Sequence, residues 1–211
     1  YRYRSGTSKV YLYEIEFSDE PTFEVNTHYP TLTEDGVKAG YSEINIDYAA
    51  TSLQKLYKID DGDWTEYKGE TIKLEIGQTI YAKGIDKYGN ETDVIPSYTG
   101  TILEDAIGPA AYDGNEGTYY SNTGTSANRY MEIDSSVRGK QVYIKAYLEH
   151  LGAIKIIKSD GTVINLVEAG ANSKKSVEQK YTIPEDAERL ALYRYGSGKS
   201  KAYLYEIRPG E

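Results

Sequence analysis

Tyr193–Ile207 reads YRYGSGKSKAYLYEI, and Tyr1–Ile15 reads YRYRSGTSKVYLYEI. Twelve of the 15 positions are identical, at a constant offset of 192 residues. The exceptions are Arg4 against Gly196, Thr7 against Lys199 and Val10 against Ala202. Chance does not give such a match, but a repeated unit does. Val10, Tyr11, Leu12 and Tyr13 suit pairing in a sheet, so residues 1–19 read as the closing hairpin of a preceding copy. The chain is then one repeat plus the tail of the one before. Enzymes seldom array themselves in this way, whereas stalks, adhesins and multivalent binders do.

Between the two matching tails the pattern is β throughout. Period-two alternation marks Glu43–Asp47, Leu53–Ile59 and Thr79–Ile85. Further strands are expected at Gln141–Leu148, Ala153–Lys158, Val163–Val167, Val177–Ile183, Glu188–Tyr195 and Lys201–Ile207. Asp60-Asp61-Gly62-Asp63, Tyr88-Gly89-Asn90 and Ser159-Asp160-Gly161 carry turn chemistry. A short helix is expected only around Glu104–Ala111, with Pro109 interrupting it. Short strands at this spacing predict an all-β fold of two β-sandwiches.

Composition narrows the function classes. The 211 residues include no cysteine, which excludes disulfides, thiol nucleophiles and zinc ribbons. Only His28 and His150 are present, and neither accompanies a nucleophile motif. Tyrosine is in excess, 23 against two Phe and one Trp, as in strands whose aromatic faces stay half wet. The net charge of −9 argues against nucleic acid as partner. No apolar run approaches the ~20 residues that cross a bilayer as a helix. Residues 20–104 hold 16 acidic and 7 basic side chains, whereas residues 105–211 hold 14 of each. That asymmetry marks a boundary near residue 104, giving modules at 20–101 and 102–211.

The first module contains LYKIDDGDWTEYKGETIKL and QTIYAKGIDKYGNETD. With Tyr57, Ile59, Asp60, Gly62, Trp64, Tyr67, Tyr81, Ala82, Asp86, Gly89 and Asn90, it resembles the Ig-like modules of bacterial surface proteins. The resemblance implies a spacer. Read bottom-up, Tyr57 and Ile59 share one strand face, and Trp64 is expected to pack on a facing sheet.

The second module opens with AAYDGNEGTYYSN over Ala110–Asn122, continues with RYMEID over Arg129–Asp134 and closes with AYLYEI over Ala202–Ile207. Through Ala111, Asp113, Gly114, Asn115, Thr118 and Ser121 it resembles the discoidin or coagulation-factor C-type module, a galactose-binding-like jelly-roll sandwich. Tyr120 stands where that family prefers Trp, and Ser135-Ser136 where it has Leu-Gly. The resemblance implies a structural calcium ion, with the carbonyls of Ala110 and Asn115 among its ligands. Chemistry points the same way: Ca²⁺ takes roughly 6–8 oxygen ligands. Asp113 offers a carboxylate, Thr118 a hydroxyl and a carbonyl, and Glu206 a carboxylate from the far end of the chain. The plainer reading of Asp113-Gly114-Asn115 is a tight turn.

Carbohydrate binding in that family uses loops at one end of the sandwich, with aromatic rings on the sugar face. The candidates here are Tyr119, Tyr147, His150, Arg194 and Tyr195, with the loop Ala169–Ser176 bordering them. Glu132 and Asp134 could mimic a glycosidase pair, but a solvated strand edge accounts for them more economically. The expected function is a non-catalytic, extracellular or cell-wall-attached tandem module that binds a glycan or surface polymer. A purely structural stalk is the alternative, and exchange of the closing hairpin between copies is a further expected contact.

Overall fold

The computed structural model describes residues 20–38, 40–92, 97–101, 103–196 and 198–210. The hairpin read over residues 1–19 lies outside them. In chain order the first strands are β1 (Thr22–Thr27), β2 (Thr31–Thr33), β3 (Gly36–Lys38), β4 (Tyr41–Asp47), β5 (Gln54–Ile59) and β6 (Thr65–Glu66). They are followed by β7 (Ile72–Glu75), β8 (Thr79–Ile85), β9 (Tyr98–Thr99), β10 (Tyr120–Ser121), β11 (Ala127–Ile133) and β12 (Gln141–Glu149). The last are β13 (Ala153–Lys158), β14 (Val163–Glu168), β15 (Lys174–Thr182), β16 (Ala187–Arg194) and β17 (Lys201–Pro209). The fold is all-β, built of sandwiched sheets. Among the described residues the only helical pieces are two 3-10 turns, Pro109–Ala111 and Ser135–Val137.

The helix expected around Glu104–Ala111 is thus a single turn. The backbone before it is already committed, because Tyr130 N–H donates to the Asp105 carbonyl and Ile107 N–H to the Tyr130 carbonyl. Pro109 sits in the first turn, where its missing N–H costs nothing.

Two compact units are distinguished. The first comprises the described residues up to Glu24, with Asn45–Glu70 and Ile80–Tyr98. Here β5 pairs antiparallel with β8, from Gln54 opposite Ile85 to Ile59 opposite Ile80. The β5–β6 turn closes as expected, with Gly62 N–H 2.9 Å from the Ile59 carbonyl. Ile80 and Ala82 are buried, and Tyr48 is buried with its hydroxyl donating to the Leu56 carbonyl at 2.8 Å. A tyrosine can fill a core in this way because its hydroxyl keeps a partner.

Trp64 departs from expectation. Lys58 and Lys83 set their ammonium groups 5.6 and 4.7 Å from the Trp64 ring centroid. Lys58 and Lys83 alternate with the buried Ile80–Ala82 register, so the indole lies on the lysine-bearing face. Cation–π attraction and the apolar lysine stems hold it there.

The second unit comprises Val25–Ile44, Thr71–Thr79 and the chain from Thr99. Its main layers are a six-stranded sheet, β14-β13-β16-β11-β2-β3, and a four-stranded sheet, β10-β17-β12-β15. Between them Met131, Ile144, Leu148, Ile154, Ile156, Leu190, Leu204 and Ile207 form a continuous core. Residues 31–38, which the sequence reading assigns to the 20–101 module, build one edge of the larger sheet. Thr31 and Leu32 lie parallel to Glu132 and Ile133, and Leu32 is fully buried in this core. The β2–β3 hairpin is closed by the Thr33 hydroxyl donating to the Gly36 carbonyl at 2.7 Å and is tied outward by a Glu34–Lys140 ion pair. In the same unit β4 pairs with β7, from Tyr41 opposite Glu75 to Ile44 opposite Ile72.

Candidate functional site

The Asp113 loop forms a closed knot of hydrogen bonds. Asp113 Oδ1 accepts from Asn115 N–H at 2.8 Å and Oδ2 from the Thr118 hydroxyl at 2.7 Å. The Thr118 hydroxyl also lies 2.8 Å from the Asn115 carbonyl. Gly114 has φ +75°, a conformation that glycine adopts without a steric cost. The Thr118 hydroxyl and then the Asn115 N–H hold the Asp113 carboxyl below its ordinary range. Ala110 lies three residues upstream, in the 3-10 turn that packs against β17.

Glu206 comes from the other end of the second unit. It continues the inward phase of Ala202 and Leu204 along β17. A β-bulge then shifts the pairing, since Lys145 faces Glu206 whereas Ala146 faces Leu204. The bulge resets the phase, so Glu206 and Ile207 are both buried. Glu206 is only 2% exposed, and its Oε2 has no hydrogen-bond partner. Burial pushes its pKa up, Arg208 opposes this, and the charges of Asp113 and Glu116 add to it. A hydrogen bond from the Gly114 backbone partly offsets the cost.

A carboxylate raised chiefly by burial, with one oxygen unpartnered, carries a desolvation cost that Arg208 offsets in part and a bound cation would offset further. The oxygens available are those of Asp113, Glu206, Thr118 and backbone carbonyls, a hard donor set that suits Ca²⁺. Among the described residues no group of three or more His, Cys, Asp or Glu side chains converges to hold a metal. Carbonyl oxygens would therefore supply much of any coordination shell.

The five ligand candidates do not form one site. Arg194 is held by backbone oxygens: Nε donates to the Ser200 carbonyl at 3.0 Å, and one terminal nitrogen donates to the carbonyls of Thr123 and Gly124 at 2.8 and 3.1 Å. Tyr195 N–H donates to the Ser200 hydroxyl at 3.1 Å, and its ring meets His150 edge-on at 5.6 Å. Tyr147 and Tyr119 lie instead on the outer face of the four-stranded sheet. There Tyr147 faces Tyr203 across the β12–β17 pair, with ring centroids 6.2 Å apart. Tyr119, 49% exposed, sits 4.8 Å from Tyr203 and 5.4 Å from Tyr205. Four tyrosine rings therefore form one outward strip. Tyr203 and Tyr205 were not singled out from sequence, because an alternating strand does not reveal which phase faces the core.

At one end the strip meets a polar cleft of about 280 Å³ beside the β16–β17 hairpin. Glu149, 8% exposed, lies at this cleft. It accepts the Tyr147 hydroxyl at 2.5 Å and pairs with Lys174 and Lys201 at 3.4 and 3.6 Å. The Tyr147 hydrogen bond and then the two lysines hold its carboxyl below the usual range. At the other end, Glu116 bridges Lys145 and Arg208 at 2.8 and 3.1 Å.

The Glu132–Asp134 pair is otherwise engaged. Asp134 caps the turn Ser135–Val137 by accepting Ser136 N–H at 2.8 Å, and Glu132 lies opposite Arg189.

No family model matches the chain, and no curated protein or solved structure matches it.

Proposed function

We propose that the chain is a non-catalytic carbohydrate-binding module of an extracellular or cell-surface tandem array, with the ligand lying along the second unit. The observation that carries this reading is the strip of Tyr119, Tyr147, Tyr203 and Tyr205. Solvated tyrosine rings at these spacings offer apolar faces for stacking on pyranose rings and hydroxyls for the sugar edge. The two β17 members recur in the other copy as Tyr11 and Tyr13, as do the buried Leu204 and Glu206 as Leu12 and Glu14. Multivalency would then raise the avidity of individually weak sites.

A structural calcium ion held by Asp113, Thr118, Glu206 and the carbonyls of Asn115 and Ala110 belongs to the same reading, supported by the unpartnered Glu206 Oε2. It would neutralise the buried carboxylate and fix the loop that carries Tyr119. Exchange of the closing hairpin between copies rests on the repeat alone, and it would bring Arg4 and Val10 to the places of Gly196 and Ala202.

The test is binding of the chain to a glycan array with calcium present, repeated with Tyr119→Ala and Tyr203→Ala. The expected outcome is retention of a glycan that each variant weakens by at least about tenfold, with little change in Tm because both rings are partly solvated. A folded chain that retains no glycan overturns the reading and leaves the stalk.

A further inference from the structure

We infer that the cleft beside the β16–β17 hairpin selects acidic sugars, binding the carboxylate or sulfate of an acidic polysaccharide whose neighbouring units lie on the tyrosine strip. The inference rests on the carbohydrate-binding reading and gives it a substrate class.

The charged groups of the cleft are mainly cationic. Lys174, Lys199 and Lys201 line it, and the acid among its lining residues is Glu149. Glu149 is nearly buried and already holds the Tyr147 hydroxyl and two of the lysines. An ammonium group has three N–H donors, so Lys174 and Lys201 can keep Glu149 and still bind an incoming oxyanion. With three cations against one carboxylate the cleft is locally positive on a chain of net charge −9.

The walls are built to keep this arrangement. His150 Nδ1 accepts Asn172 N–H at 3.0 Å, which in the neutral ring places the proton on Nε2 and makes that atom a donor. His150, Leu151 and Asn172 have φ values of +42°, +63° and +56°. The described residues include only two other non-glycine positions of this kind, Asp60 and Ser126. His150 and Leu151 are the central pair of the β12–β13 hairpin turn, closed by Gly152 N–H donating to the Glu149 carbonyl at 3.1 Å, and this turn sets the His150 ring at the cleft.

Tyr147 joins the two parts. Its hydroxyl holds Glu149 at the cleft, and its ring stacks against Tyr203 in the strip. A chain stacked on the tyrosines therefore meets the lysines at that end, where an acidic sugar adds an oxyanion to the single carboxylate of Glu149 and a neutral sugar does not. Specificity for the charged unit follows from that difference.

The experiment is calorimetric titration of the calcium-loaded chain with a polyuronate, a sulfated dextran, neutral dextran, neutral galactan and a short DNA duplex. The expected result is at least tenfold tighter binding of one acidic polysaccharide than of either neutral one, weakening steeply between 50 and 500 mM salt. Whether the polyuronate or the sulfated dextran binds tighter identifies the oxyanion. K199A, at an exposed position, should lose acidic binding while keeping any neutral binding and the wild-type Tm, and K174A, which also pairs with Glu149, should lose acidic binding as well. Acidic and neutral glycans bound equally, with both lysine variants silent, would overturn this inference and leave the carbohydrate-binding reading standing. DNA bound as tightly as the acidic polysaccharide, and through the same lysines, would overturn it as mere charge capture. Binding of no polysaccharide at all would remove both.

Discussion

At Glu206 a charge is set where the fold gives it no hydrogen bond for one oxygen, and pH reports this. Its pKa is raised by burial. In metal-free protein the ionised group costs stability at neutral pH. As pH falls through the raised value the fold takes up a proton that the unfolded chain does not yet bind, so stability rises. The gain ends near the ordinary glutamate value. Below it, Asp113 and Glu116, both held low, lose their contribution in turn. Chelated protein should therefore show a higher Tm at pH 5.5 than at pH 7.5, and Glu206→Gln should reduce that slope to what Glu132, also raised by burial, contributes. The same variant should raise chelated stability at pH 7.5 by about 1–3 kcal/mol, the cost of an unsatisfied buried group. Calcium should stabilise the wild type, by ~2.7 kcal/mol at a hundredfold excess over Kd. It should leave Glu206→Gln and Asp113→Ala unmoved. A calcium-induced Tm rise that survives in both variants would show that the ion binds elsewhere.

At the scale of elements, the hairpin of β2 and β3 decides where the second unit begins. Leu32→Ala should destabilise that unit by about 2–5 kcal/mol, as for other large-to-small changes in a packed core. A fragment of residues 105–211 should melt below one that begins at Val25, because removing β2 bares the β11 edge. Equal melting of the two fragments would show that the hairpin is dispensable. That hairpin is not legible in the sequence, because each three-residue strand offers little apolar pattern beyond Leu32 or Val37. Thr79–Ile85 is legible end to end, its inner and outer positions alternating without a break. In the site, Asp113 and Thr118 are legible because their spacing closes a local turn, whereas the sequence offers Glu206 as a carboxylate without showing that it is buried with one oxygen unpartnered. Arg194 carries the same letter whether it meets a ligand or three carbonyls, and only the geometry separates the two.

For the molecule as a whole, the repeat raises the question of whether copies trade their closing hairpins. A Cβ at Gly196 would overlap the Ser126 hydroxyl, and Ser126 has a φ of +47° that limits its retreat. Ala202 is fully buried, so valine there overfills the core at a cost of about 1–3 kcal/mol. Arg4 and Val10 would bring both penalties, so each copy fits its own hairpin better than its neighbour's. The chain should sediment as a monomer at micromolar concentration. The double variant Arg4→Gly with Val10→Ala should shift it toward concentration-dependent dimers. A wild-type chain that dimerises as readily as the double variant would show that the two positions do not discriminate.

Within its sheet β17 lies between β10 and β12, and β10 has no other partner among the described strands. Synthesis delivers β17 after every other strand of the second unit, yet its place is in the interior. Until Lys201–Pro209 has emerged, the growing polypeptide must hold β12 with one side open and β10 unpaired, the condition in which strands recruit the wrong neighbours. Insertion of that single segment closes the sheet, buries the 206 carboxylate and presents two of the four tyrosines together. An incomplete chain therefore presents no complete tyrosine strip, which forms in the same step that seals the sheet.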